Sequence, residues 1–122
     1  MTVKILIVDD SKAMRMIVTR TLRQAGFAEH AFLEAGDGAE GLALVASEQP
    51  DLVLSDWNMP EMSGIECLEA LRASGSQVPF GFVTSEGSPE MRAKAANAGA
   101  IFLIAKPFNE DTFKDALDGV IA

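Results

Sequence analysis

Five short apolar runs, each followed by a helical pattern, constrain this chain more than any other feature. The runs are Lys4–Val8, Ala31–Ala35, Leu52–Ser55, Phe80–Thr84 and Ile101–Ala105. Runs one, three and five are almost continuously apolar, as parallel strands covered on both faces require. Strict alternation over five βα units predicts an α/β fold: one parallel sheet, right-handed crossovers and helices on both faces.

The helical patterns have readable ends. Helix one places Met14, Ile17, Val18 and Leu22 on one stripe and is predicted to stop at Gly26, a residue suited to a left-handed C′ position. Helix two opens at Asp37 with Glu40 three residues on, a capping-box pattern. Helix four starts Ser88-Pro89 and ends near Gly99. Helix five follows Asn109, has Glu110 and Asp111 in its first turn, and lines up Phe113, Ala116, Leu117, Val120 and Ile121.

The 122 residues suit one domain, expected to span 1–122 with no output domain. A net charge of −8 disfavours nucleic acid and anionic membranes as direct partners, since their phosphates would be repelled. No apolar run is long enough to span a bilayer, and Met1–Lys4 leads straight into a strand, so no signal peptide is expected. The single cysteine, Cys67, fits a reducing cytoplasm.

In parallel sheets of this kind, ligands bind beyond the carboxyl ends of the strands. Strand one is followed by Asp9 and Asp10, strand three by Asp56, and strand five by Lys106; strand four finishes at Thr84. Three carboxylates on one rim repel: two unit charges ~5 Å apart cost about 3 kcal/mol at an effective dielectric near 20. Lys106 supplies only one positive charge, so a hard divalent cation with oxygen ligands is the natural occupant, and Mg²⁺ suits few carboxylates plus water and phosphate. A carboxylate facing a cation, an ammonium and a hydroxyl is equipped for phosphoryl transfer.

Asp9-Asp10-Ser11, the run Asp56-Trp57-Asn58-Met59-Pro60 with Ser63-Gly64 beyond it, Thr84-Ser85-Glu86 and Lys106-Pro107-Phe108 resemble the receiver domains of bacterial response regulators. With Met14-Arg15, the resemblance is greatest to stand-alone chemotaxis regulators of the CheY type. It implies a flavodoxin-like sheet in the order 2-1-3-4-5. It also implies roles. Asp56 is the expected phosphoacceptor; Asp10 and Asp56 are the expected Mg²⁺ ligands, with the Asn58 carbonyl, and Asp9 through water. Mn²⁺ is an expected substitute. Thr84 and Lys106 are expected to meet the phosphoryl group, Asn58 and Glu86 to tune its lifetime, and the Lys106–Pro107 bond to be cis.

The partners implied are a histidine kinase as phosphodonor and an effector at the face of helix four, strand five and helix five, with a flagellar motor switch as one candidate and a monomer as the expected state. The position three before Lys106 departs from the CheY pattern: it is Leu103 where an aromatic is usual, so coupling of Thr84 to that position cannot operate unchanged. Phe102 is expected on the opposite side of the strand.

The same residues admit other readings. A phosphate sink or a regulator outside chemotaxis would use the same site. A haloacid-dehalogenase-like phosphatase needs an acid two residues after its nucleophile, where this chain has Asn58. A flavodoxin-like FMN site would meet Asp9 and Asp10 in the first loop, which repel phosphate. Elsewhere His30 reads as a solvated loop residue, Cys67 as a partly buried small residue, and Met14 and Met91 as packing residues. Trp57 reads as an optical reporter without chemistry.

Overall fold

A computed structural model describes residues 2–121. Strands β1 (Lys4–Val8), β2 (Ala31–Ala35), β3 (Leu52–Ser55), β4 (Phe80–Thr84) and β5 (Phe102–Ala105) form one parallel sheet in the order β2-β1-β3-β4-β5. They alternate with helices α1 (Lys12–Leu22), α2 (Gly38–Glu48), α3 (Gly64–Ala73), α4 (Pro89–Ala98) and α5 (Glu110–Leu117). The expected architecture and strand order are both present.

Side chains alternate across the sheet, as the strand period of two demands. Leu6, Val8, Val53, Phe80 and Phe82 face one core, closed by Val45 of α2, Leu68 and Leu71 of α3 and Ala95 of α4. Ile5, Ile7, Leu52, Leu54 and Val83 face the other, closed by Val18 and Leu22 of α1 and Phe113 and Leu117 of α5. The sheet thus has α1 and α5 on one side and α2, α3 and α4 on the other. Leu103 packs with the first core and Phe102 with the second, so these neighbours point to opposite sides as expected.

The helix starts follow their capping chemistry. Asp37 Oδ1 accepts the Glu40 N–H at 2.8 Å, and Ser88 Oγ accepts the Met91 N–H at 3.2 Å ahead of Pro89. Full capping boxes stand at Ser63/Glu66 and Asn109/Thr112.

Several local expectations are corrected. Helix α1 proper ends at Leu22, and a wider π turn over Arg23–Phe27 contains Gly26 at φ 106°. Gly26 thus adopts the left-handed conformation expected of it, but inside a turn rather than as a simple stop. Helix α5 ends at Leu117, so Val120 and Ile121 pack on the second core from beyond the helix. β5 begins at Phe102, leaving Ile101 48% exposed, and as an edge strand β5 is only partly covered. β4 is buried throughout instead. His30 is not a solvated loop residue: it is 5% exposed, and its Nδ1 accepts the Val3 N–H at 3.1 Å. Cys67 is fully buried rather than partly, and burial pushes its thiol pKa up to about 11.

Candidate functional site

The carboxyl ends of the strands are pinned by one further rung of the backbone ladder. The Asp9 N–H donates to the Ala35 carbonyl at 3.1 Å, Asp56 N–H to Val8 at 2.9 Å, and Lys106 N–H to Thr84 at 2.7 Å. Each of these residues is therefore fixed by the last residue of the neighbouring strand, with its side chain just past the sheet edge. The three sequence segments are brought to one rim.

Asp9, Asp10 and Asp56 each direct a carboxylate oxygen so that all three lie within 4.8 Å of one another. Lys106 Nζ stands 3.8 Å from Asp9 Oδ2 and 4.0 Å from Asp56 Oδ1. Asp9 is buried, Asp56 half-buried and Asp10 exposed. Asp9 Oδ1 accepts the Ser11 N–H at 2.9 Å, and Asp56 Oδ1 accepts the Trp57 N–H at 2.8 Å. Ser55 Oγ donates to the Asp56 carbonyl at 2.8 Å.

Burial pushes the Asp56 carboxyl above its ordinary range, opposed by Lys106 and the Trp57 and Asn58 amides and reinforced by Asp10. Burial likewise raises Asp9, opposed by the Ser11 amide and Lys106, with Asp56 and Asp10 adding repulsion. One ammonium and several amides leave both acids short of positive charge. Three hard oxygen donors in that condition fit a divalent cation such as Mg²⁺.

Thr84 is fully buried at the end of β4, and its Oγ1 accepts the Glu86 N–H at 3.4 Å. Glu86 and Asn58 are exposed at the mouth of the site. The register pairs Phe82 with Leu103 and Thr84 with Ala105, so Thr84 and Leu103 share one face of neighbouring strands. The Lys106–Pro107 bond is cis, as expected.

Two further residues shape the rim. Gly64, at the start of α3, lies so close to the Asp56 carbonyl and the Phe82 ring that a Cβ there would collide with both. Its N–H closes the loop by donating to the Trp57 carbonyl at 2.8 Å. Arg15 sends Nη1 to the Asp9 carbonyl at 2.6 Å and Nε to Glu34 Oε1 at 2.8 Å. The sequence holds a trace of Arg15's placement: it lies one helical turn after the cap Ser11, on the side facing the end of β1.

A groove of about 580 Å³ between α2 and α3, lined by Leu42, Gln49, Pro50, Ser74 and Val78, lies at the opposite end of the sheet from this rim. Among the described residues no helix is long and apolar enough to cross a membrane.

The chain is similar to known proteins in sequence and in fold. The chain is 41% identical over 119 residues to chemotaxis protein CheY-3 of Vibrio cholerae, covering 96% of this chain and 90% of that one. It is 39% identical to chemotaxis protein CheY of Pseudomonas aeruginosa, covering 96% and 94%. The solved structure of V. cholerae chemotaxis protein CheY4 superposes with a TM-score of 0.86 at 36% identity, covering 99% of this chain and all of the other. Residues 5–118 match the response regulator receiver domain, and with these relatives the chain belongs to that family.

Proposed function

We propose that the protein is a phosphorylation-dependent signalling switch of a two-component system, acting in the cytoplasm, with Asp56 as phosphoacceptor. The observation that carries this reading is the convergence of Asp9, Asp10 and Asp56 within 4.8 Å, with Lys106 reaching toward Asp9 and Asp56. Asp10, Asp56 and the Asn58 carbonyl would hold Mg²⁺, with Asp9 acting through water and Mn²⁺ able to substitute. When bound, the metal supplies positive charge for the phosphoryl oxygens.

The chain's own residues do the rest. A carboxylate oxygen of Asp56 attacks phosphorus, the bond from phosphorus to the donor's histidine nitrogen breaks, and the nitrogen keeps the electron pair. Trp57 N–H holds the carboxylate in place through Oδ1. Lys106 pairs with the transferred group, exchanging its long contacts to Asp9 and Asp56 for a phosphoryl oxygen. Thr84 donates its hydroxyl to another phosphoryl oxygen, and in turning gives up the Glu86 N–H that it accepts in this structure. Asn58 and Glu86 flank the approach of hydrolytic water and set the lifetime. Turnover of free substrates is not part of this role; the chemistry is confined to the protein's own phosphorylation and dephosphorylation.

Output runs through the α4-β5-α5 face to an effector, in chemotaxis by analogy with the CheY-named relatives, for which a flagellar motor switch is a candidate. Leu103 shares a sheet face with Thr84, so a moving threonine is read there by an aliphatic side chain.

The test uses an acyl phosphate with Mg²⁺ and intact-mass measurement. Wild type gains one phosphoryl group and Asp56→Ala gains none. An equal adduct on both proteins would remove Asp56 from the role.

A further inference from the structure

The carboxylates of the rim are supported unequally. Those of Asp9 and Asp56 each accept a backbone N–H, whereas among the described residues the exposed Asp10 carboxylate has no hydrogen-bond partner. Yet Asp10 converges with the other two. Its aim must be set through the backbone, and the peptide plane joining Asp9 to Asp10 carries the Asp9 carbonyl that Arg15 Nη1 holds at 2.6 Å.

Arg15 itself is anchored. Its Nε pairs with Glu34 Oε1 at 2.8 Å, and its side chain is 16% exposed against 50% for Glu34. Glu34 sits on β2 opposite Ile7 of β1, one residue before the Ala35 carbonyl that accepts the Asp9 N–H. The peptide groups on both sides of Asp9 are thus tied to β2, one directly and one through the guanidinium. The rigid guanidinium fork reaches the carbonyl by Nη1 and the carboxylate by Nε, two fixed and separated donors, where a lysine would have to serve both from a single nitrogen.

We propose that Arg15, braced by Glu34, is a positioning residue that orients the Asp9–Asp10 peptide so that Asp10 can serve the divalent-cation site. This rests on the functional reading above and extends it to residues with no direct part in the chemistry. A support of this kind is worth about 10–100-fold in metal affinity.

Charge and position predict opposite signs here. Removing a cation beside three carboxylates strengthens Mg²⁺ binding if Arg15 acts by its charge, and weakens it if Arg15 acts by holding the peptide.

The experiment titrates the full chain with Mg²⁺, reading the fluorescence of Trp57, the sole tryptophan, whose N–H rests on Asp56. The Mg²⁺-dependent rise in Tm gives an independent measure that needs no fluorescence change. Arg15→Ala and Arg15→Lys are both expected to weaken Mg²⁺ about tenfold, since lysine keeps the charge and loses the fork. Glu34→Gln weakens it less, and Arg15→Ala with Glu34→Gln is no weaker than Arg15→Ala alone. The lysine and glutamine variants are conservative enough to fold should the alanine variant fail.

Unchanged or tighter binding in Arg15→Lys overturns the proposal, as does a lowered Tm in EDTA with the Mg²⁺ affinity intact. A wild type with no response to Mg²⁺ in either measurement would remove the cation site and this proposal together. A responsive wild type with an equally responsive Arg15→Lys would remove this proposal alone.

Discussion

At the residue scale, Asp56 shows how the fold prepares a carboxylate. Burial and Asp10 raise its pKa more than Lys106 and the amides lower it, so the folded state holds this proton more tightly than the unfolded state does. The sign follows from linkage: between the ordinary carboxylate pKa and the raised folded value the native state binds more protons, so stability falls as pH rises through that window. Above the folded value the penalty is complete. In EDTA, Asp56→Asn is therefore expected to be more stable than wild type at about pH 7, with the gain shrinking as the pH falls toward about 4. Urea unfolding at the two pH values measures it, and an asparagine variant less stable than wild type at neutral pH would contradict the account. Individual residues were readable from the sequence where their role depends on following a strand: Asp9, Asp10, Asp56, Thr84 and Lys106 all stand where strand ends place them. His30 was not, because its partner Val3 is 27 positions away, and Arg15 only in part: its turn after Ser11 is local, but its partner Glu34 is 19 positions away.

At the element scale, the start of α3 governs how closely a helix can approach the rim. Gly64 is buried against the Asp56 carbonyl, and that backbone cannot retreat without breaking its own rung to Val8. Gly64→Ala is expected to cost about 1–3 kcal/mol from overpacking. A drop in the urea midpoint with an unchanged slope would show it, and a midpoint equal to wild type would mean that α3 shifts freely. Helix starts were legible because capping is local: Asp37, Ser88 and Asn109 cap as their sequence context implies. Strand burial was less so. The apolar run of β5 suggested coverage on both faces, but position in the sheet decides coverage, and β5 lies at an edge. β4 contains Gly81 and Thr84 yet is covered throughout, with the Phe102 ring lying in the space a Gly81 side chain would need.

At the scale of the whole molecule, a net charge of −8 acts on a chain that gathers three carboxylates within 4.8 Å at the rim. Without divalent metal, added NaCl screens that repulsion, and 0.1 M salt already brings the screening length to about 10 Å. Raising NaCl in EDTA from about 0.02 to about 0.5 M is expected to lift the Tm by about 2–5 °C. A Tm that stays level or falls would show that long-range repulsion is not a material cost. The architecture itself was legible because alternation of strand and helix is a global pattern written in local periodicity; the expected order β2-β1-β3-β4-β5 rested on resemblance, and the backbone pairing bears it out.

The sheet also works as a bulkhead. Leu68 and Phe82 lie on one side of it, Leu22 and Phe113 on the other, and among the described residues no side chain is shared between the two cores. A hole opened beneath α3 cannot be filled by material from beneath α1, because the hydrogen-bonded strands between them do not part. Each compartment must heal its own losses, while the rim, rooted in the bulkhead itself, keeps its footing whichever side is disturbed.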